Sequence, residues 1–176
     1  NLAQALSDFY TADAPLTRAL RHRLGAVLFQ FSPLSAHYLR APESFAARLG
    51  EFLHALPQGT PYTVEMRDPE VLVPAYGEAL RSGRASHCSS VHSRMPPVDT
   101  QPVGSEEAPQ VIRWMLHAGY DYETAGAHYA PFDRLVEPDV PTRQRIVNLI
   151  AAGVRSGREV HVIAANNAEG SAPLTL

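Results

Sequence analysis

Two short stretches carry charged side chains at spacings that suit catalysis. In YTVEMR, one residue separates Glu65 from Arg67, and in VIRWMLH single residues separate Arg113, Met115 and His117. Side chains alternate along a strand, so each set shares a face. A carboxylate, two guanidiniums and an imidazole brought together could run general acid–base chemistry. Glu65 would be the base, His117 an acid or second base, and Arg67 and Arg113 clamps on developing negative charge. The same groups equally suit a structural role, because buried glutamate and arginine satisfy one another and an unpaired buried charge is costly. The catalytic reading expects Glu65→Gln to abolish turnover and spare folding. The structural reading expects Glu65→Gln to be tolerated when Arg67→Met accompanies it.

A second candidate set lies near the end of the chain. Asn166 and Asn167 leave a β-rich run, and Gly170, Ser171 and Ala172 precede Pro173, a residue suited to a helix's first turn. Backbone N–H groups at such a helix start bind phosphate in many barrels, and either asparagine could donate an amide to the same anion. The alternative is that Asn167 ties its loop to the neighbouring strand. Gln30, at the end of AVLFQF, would join Glu65 and Arg113 if their faces converge.

Other chemistries find less support. All 15 basic residues are arginine, so Schiff-base catalysis, a lysine base and a Walker-type lysine are excluded within this segment. His87, His92 and His128 could combine with Glu65 or Asp68 around a metal, but no HExxH or tight ligand spacing exists, so no metal site is expected and no cofactor is indicated. Cys88 lies mid-strand and reads as core. Trp114 and Tyr120–Tyr129 read as packing, with Tyr122 or Tyr129 as candidates for a cleft wall. A net charge of −3 with scattered arginines gives no basic stripe, so no nucleic-acid partner is expected.

The elements that must position these residues alternate along the chain. Strand-like runs are Ala26–Phe31, Tyr62–Arg67, Ala85–His92, Val111–His117 and Val160–Asn167. Helical spacing joins Phe45, Leu49, Phe52, Leu53 and Leu56, then Leu72, Tyr76 and Leu80 with Gly83 near the end. A further helix starts after Asp139, a plausible N-cap, and turns Ile146, Leu149, Ile150 and Val154 to one side. An earlier helix spans roughly Leu16 to Leu24. Strand and helix alternating at this spacing give a parallel sheet, covered on both faces. An open doubly wound sheet and a barrel both fit, although no glycine-rich fingerprint follows a strand. The segment Ser93–Gln110 is a long, proline-rich, acidic connection, read either as a surface loop or as a lid over the strand ends.

At 176 residues, 45% hydrophobic and 19% charged, the chain reads as one globular domain over 1–176. No apolar run approaches the ~20 residues of a membrane span. A single cysteine excludes an internal disulfide and fits a reducing, cytoplasmic setting. No signal peptide is recognisable at Asn1–Asp8, although a start without Met leaves a removed leader or a longer parent chain open.

Four motifs agree with one family. LGAVLFQF, YTVEMRDP, HYAPFDRL and AANNAEGSAP, in this order, resemble the YecE-like family, number seventy-two among domains of unknown function. The resemblance implies a cytoplasmic β/α barrel with no assigned activity. It also implies that LGAVLFQF is the fourth strand, so that the chain forms a partial barrel lacking about three N-terminal strands of the usual eight. Three departures stand out. Asp68 replaces a histidine common after Glu-x-Arg, Arg113 and His117 replace a tighter Arg-x-His-Gly, and Asn167 stands where many relatives carry lysine. From these residues the expected function is a hydrolase or lyase acting on a small anionic, phosphorylated or sugar-like substrate. The alternative is a non-catalytic binding or assembly module.

Overall fold

The computed structural model describes residues 23–31 and 33–176. The helix expected at Leu16–Leu24 lies, up to residue 22, outside the described residues. Five strands form the sheet: β1 (Val27–Gln30), β2 (Tyr62–Glu65), β3 (Ala85–Val91), β4 (Gln110–Trp114) and β5 (Val160–Ala164). All adjacent pairs are parallel and the spatial order is β1-β2-β3-β4-β5. A doubly wound sheet reverses its strand order at a switch point; this one never reverses. The result is a curled half-barrel with helices outside, a partial parallel β/α barrel.

Alternation along the strands sorts the two faces. Tyr62, Val64, Met66 and Ala85 point outward into one apolar cluster with Phe45, Leu49 and Leu53 of α2 (Pro42–His54) and Tyr76 and Leu80 of α3 (Pro74–Ser82). A short α1 (Ala36–Arg40) precedes α2. Ile112 and Trp114 of β4 pack with Ile146 of α5 (Val140–Arg155) in a second cluster. The opposite, concave face is polar: Thr63, Glu65, Ser86, Cys88 and Ser90 are all fully buried there. Between β4 and α5 lies α4 (Tyr122–Tyr129), and α6 (Ala172–Thr175) follows β5.

Asp139 caps α5 as its sequence suggests, its Oδ1 accepting a 3.1 Å hydrogen bond from Thr142 N. The helix is nevertheless rotated from the expected face: Ile146 is buried and Leu149 and Ile150 pack against the core, but Val154 is 61% exposed. Gly153 explains the rotation. A Cβ there would lie 2.4 Å from Gln110 Oε1 and 2.8 Å from Val160 Cγ2, so the helix meets the sheet through its glycine. An apolar-periodicity count gives glycine no weight and turns Val154 inward instead.

The connection from β3 to β4 is held onto the sheet. Where the other crossovers use helices, residues 92–109 run down the sheet as an irregular strap containing a single 3-10 turn, Val98–Thr100. Val98 enters the second apolar cluster, and Gln101 and Ala108 are buried. Gln101 replaces a crossover helix's hydrogen bonds with its own amide. Its Oε1 accepts from Ser90 N (3.0 Å) and its Nε2 donates to Ser90 O (2.9 Å) and Pro96 O (2.8 Å). Farther along, His87 N donates to Val103 O and Ser105 N to Ala85 O, satisfying the part of β3 that β4 does not reach. Gly104, at φ +79, makes that turn, and a Cβ there would lie 2.8 Å from Ala85 O.

Candidate anion-binding cleft

The strands end earlier than their sequences suggest, β2 at Glu65 and β4 at Trp114. Arg67, His92, Arg94 and Met115 therefore stand in the connections just past the C-terminal strand ends, where barrels place their sites. With Gln30, Pro33, Arg113, Leu116, Asp121 and Tyr122 they wall an open cleft of 730 Å³.

Beneath this cleft lies Glu65, 0% exposed, held from both sides. Arg113 Nη1 donates to its Oε2 in a close ion pair and also to Gln30 Oε1 at 3.0 Å. Arg67 Nη2 stands 2.7 Å from Oε1, but outside hydrogen-bonding alignment, so that contact is ionic. One carboxylate thus anchors two guanidiniums. Arg67 is 7% exposed and its Nη1 is buried with no hydrogen-bond partner. Both carboxylate oxygens face arginine, so Glu65 meets the cleft only through those arginines. A general base must reach the proton it removes. The geometry thus casts Glu65 as the group that positions Arg67 and Arg113 rather than as a base.

His92 contributes another donor. Its Nδ1 accepts a long hydrogen bond (3.4 Å) from Arg94 N, which leaves the neutral ring's proton on Nε2. Partial burial, then the charges of Arg67 and Arg94, hold its pKa below the usual imidazole range. The ring stands 5.9 Å from that of Tyr122. Arg94 is exposed and pairs with no carboxylate among the described residues. Asp121 is the one carboxylate on the wall. Its Oδ1 caps α4 by accepting from Thr124 N at 2.7 Å, and these backbone bonds hold it below the usual carboxylate range. With Glu65 counted, three guanidiniums face two carboxylates, and the cleft is cationic.

Several residues expected here stand elsewhere. Because β4 stops at Trp114, His117 leaves the face of Arg113. Its N donates to Asn167 O (3.0 Å), its Nδ1 lies 3.0 Å from Ala118 O, and its ring packs edge-on against Tyr120. The cleft walls include none of His117, Asn166, Asn167, Gly170 or Ser171. Asn167 ties its loop to the turn after β4 through its carbonyl. Gly170 N donates to Asn166 O and Ala172 N to Asn166 Oδ1, so these amides are occupied within the loop. Gly170 and Ser171 thus stand apart from this cleft.

The histidine and cysteine candidates also resolve. His87 is buried on the outer face, with Tyr76 Oη 2.8 Å from Nδ1 and Gln101 Oε1 3.1 Å from Nε2; burial pushes its pKa down to about 4. Among the described residues no group of three or more His, Cys, Asp or Glu is gathered as a metal would require. Cys88 is fully buried and its thiol pKa is raised by that burial, which removes it as a nucleophile. Asp68, in place of the family's histidine, accepts from Leu34 N at 2.7 Å and fixes the segment after β1. Of the tyrosines, Tyr122 joins the cleft while Tyr129 is buried. The sequence alone does not single out Arg94 and Asp121, and offers His92 as a polar residue at a strand's C-terminal end or a metal ligand. Their one signal is position, directly after a strand's C-terminal end or at a helix start.

The half-barrel and its strand-end cleft define a β/α-barrel protein with a cationic site. The profile of "Protein of unknown function DUF72" matches residues 1–176, so the chain belongs to that family, the YecE-like one. In fold it is similar to a DUF72 family protein from Enterococcus faecalis V583, at 16% identity and a TM-score of 0.57. The match covers 97% of this chain and 64% of the other. No curated protein matches it. Among the described residues no helix is long and apolar enough to cross a membrane.

Proposed function

We propose that the chain binds a small anionic substrate, phosphorylated or sugar-like, at the C-terminal ends of its strands and acts on it as a hydrolase or lyase. One observation carries this reading: Arg67, Arg94 and Arg113 converge on one cleft, two of them fixed by a single buried carboxylate. Guanidiniums held in advance bind a ground-state anion and stabilise charge that develops later, with no reorganisation at the moment of reaction. His92 Nε2–H and the Tyr122 hydroxyl add neutral donors.

A second reading, a non-catalytic binding module, is favoured by one feature of the same cleft. Its walls offer donors, and their only carboxylate, Asp121, is weakened as a base by its capping bonds.

A thermal-shift screen against phosphate esters and sugar acids tests both. A ligand at ~100 times its Kd adds about 2.7 kcal/mol, a shift of a few degrees. A shift lost in Arg67→Met, with the ligand consumed over time by NMR, supports the enzyme. The same shift with the ligand unchanged supports the binding module. No shift with any anion contradicts both.

A further inference from the structure

The arginine cleft borders a second cavity at His92. His92 and Ser93 also wall this second cavity, of 380 Å³, between the start of the strap and the N-terminus of α5. Its surface is mostly apolar, with Val91, Met95, Pro96, Pro97, Val98 and Pro141 among its walls. Of the charged side chains at its edge, Arg145 Nη1 lies 2.7 Å from Asp99 Oδ1, and Asp139 caps α5 through Oδ1 while its Oδ2 is buried without a hydrogen-bond partner. The strap segment that forms this cavity is fixed in place, since Gln101 Nε2 holds Pro96 O and Val98 is 3% exposed. A preformed apolar chamber sharing two wall residues with a cationic cleft is complementary to one molecule with two unlike ends.

We infer that the two cavities form one bipartite site, and that the ligand is an anion bearing an apolar arm, its head among Arg67, Arg94 and Arg113 and its arm under the strap. This rests on the anion reading above and adds the chemical class of the ligand's other half. His92, at the junction, would contact the bond region between head and arm.

Calorimetric titration of the full chain tests it with two series: inorganic phosphate, phenyl phosphate and 4-phenylbutyl phosphate; and acetate against 5-phenylpentanoate. The arm should raise affinity on the order of tenfold or more, as expected for burying that much apolar surface. Ala118 is exposed and borders the second cavity. Ala118→Trp should fill it, erasing the gain while leaving the simple anion's affinity unchanged. Met95→Glu, a second variant, should reduce the gain by opposing an apolar arm with charge. Binding of simple anions without a gain from the arm, or a gain that persists in both variants, overturns the bipartite site and leaves the anion reading standing. No binding of any of the anions overturns both.

Discussion

The sheet carries two buried polar networks, one on each face, and they differ in what they leave unpaired. On the convex face Tyr76, His87 and Gln101 satisfy one another and the strap backbone, and nothing opens onto solvent. On the concave face Glu65 holds Arg67 and Arg113, yet two guanidiniums share one carboxylate and Arg67 Nη1 has no partner. The first network is closed and serves to fix a strap that replaces a helix. The second has donors left over and they border a cleft. Residue type alone does not separate the two, since each contains a titratable side chain buried in the sheet. The balance of donors and acceptors does.

Substitutions can test this contrast, the largest effect first. Glu65→Ala leaves two nearly buried guanidiniums without a counter-charge, and should cost about 3–5 kcal/mol in urea unfolding. A cost under 1 kcal/mol would mean the arginines reach solvent easily and the cleft is not preorganised.

The closed network should respond to pH. The folded-state pKa of His87, about 4, lies below that of an unfolded histidine, near 6.5. Between those values the unfolded chain binds a proton that the native one excludes, so stability rises with pH through the window and is lost as pH falls from about 6.5 to about 4. The contribution is on the order of 3 kcal/mol. His87→Gln should flatten that part of the stability–pH curve. An unchanged slope would mean that His87 is not held neutral by its burial.

Gly104→Ala forces a side chain into a left-handed turn against Ala85 O. It should cost roughly 1–3 kcal/mol in the same unfolding assay and leave anion affinity intact, because Gly104 packs at the Ala85 end of β3, opposite the strand end that carries the cleft. Arg94→Ala is the converse and has the smallest effect on folding. Stability should stay within ~0.5 kcal/mol, as for exposed side chains, while anion affinity falls and its salt dependence weakens. An Arg94→Ala protein that binds as well as the parent would remove Arg94 from the site.

Much of this was legible in the sequence. Five parallel strands, the shared face of Glu65 with Gln30 and Arg113, and the Asp139 cap all follow from alternation and capping chemistry. What failed has physical causes. His117 was placed by extending β4 three residues beyond Trp114, where the backbone has already turned toward Asn167. Gly170 and Ser171 read as part of the same site because a local pattern cannot show that Asn166 engages the amides of Gly170 and Ala172 and that this loop lies off the cleft. The strap was unreadable as structure because its order comes from long-range bonds by Gln101, Val103 and Ser105, which no periodicity records. Arg94 sits in that same aperiodic stretch.

The central claim is that the concave network has cationic donors to offer and the convex one does not. Calorimetric titration of inorganic phosphate into the parent chain, Arg67→Met and Gln101→Ala, at equal ionic strength, tests it most directly. The account predicts binding in the parent and in Gln101→Ala, and at least tenfold weaker binding in Arg67→Met, on the order expected for loss of a charge-assisted contact. Equal affinity in the parent and Arg67→Met, or loss of binding only in Gln101→Ala, would contradict it.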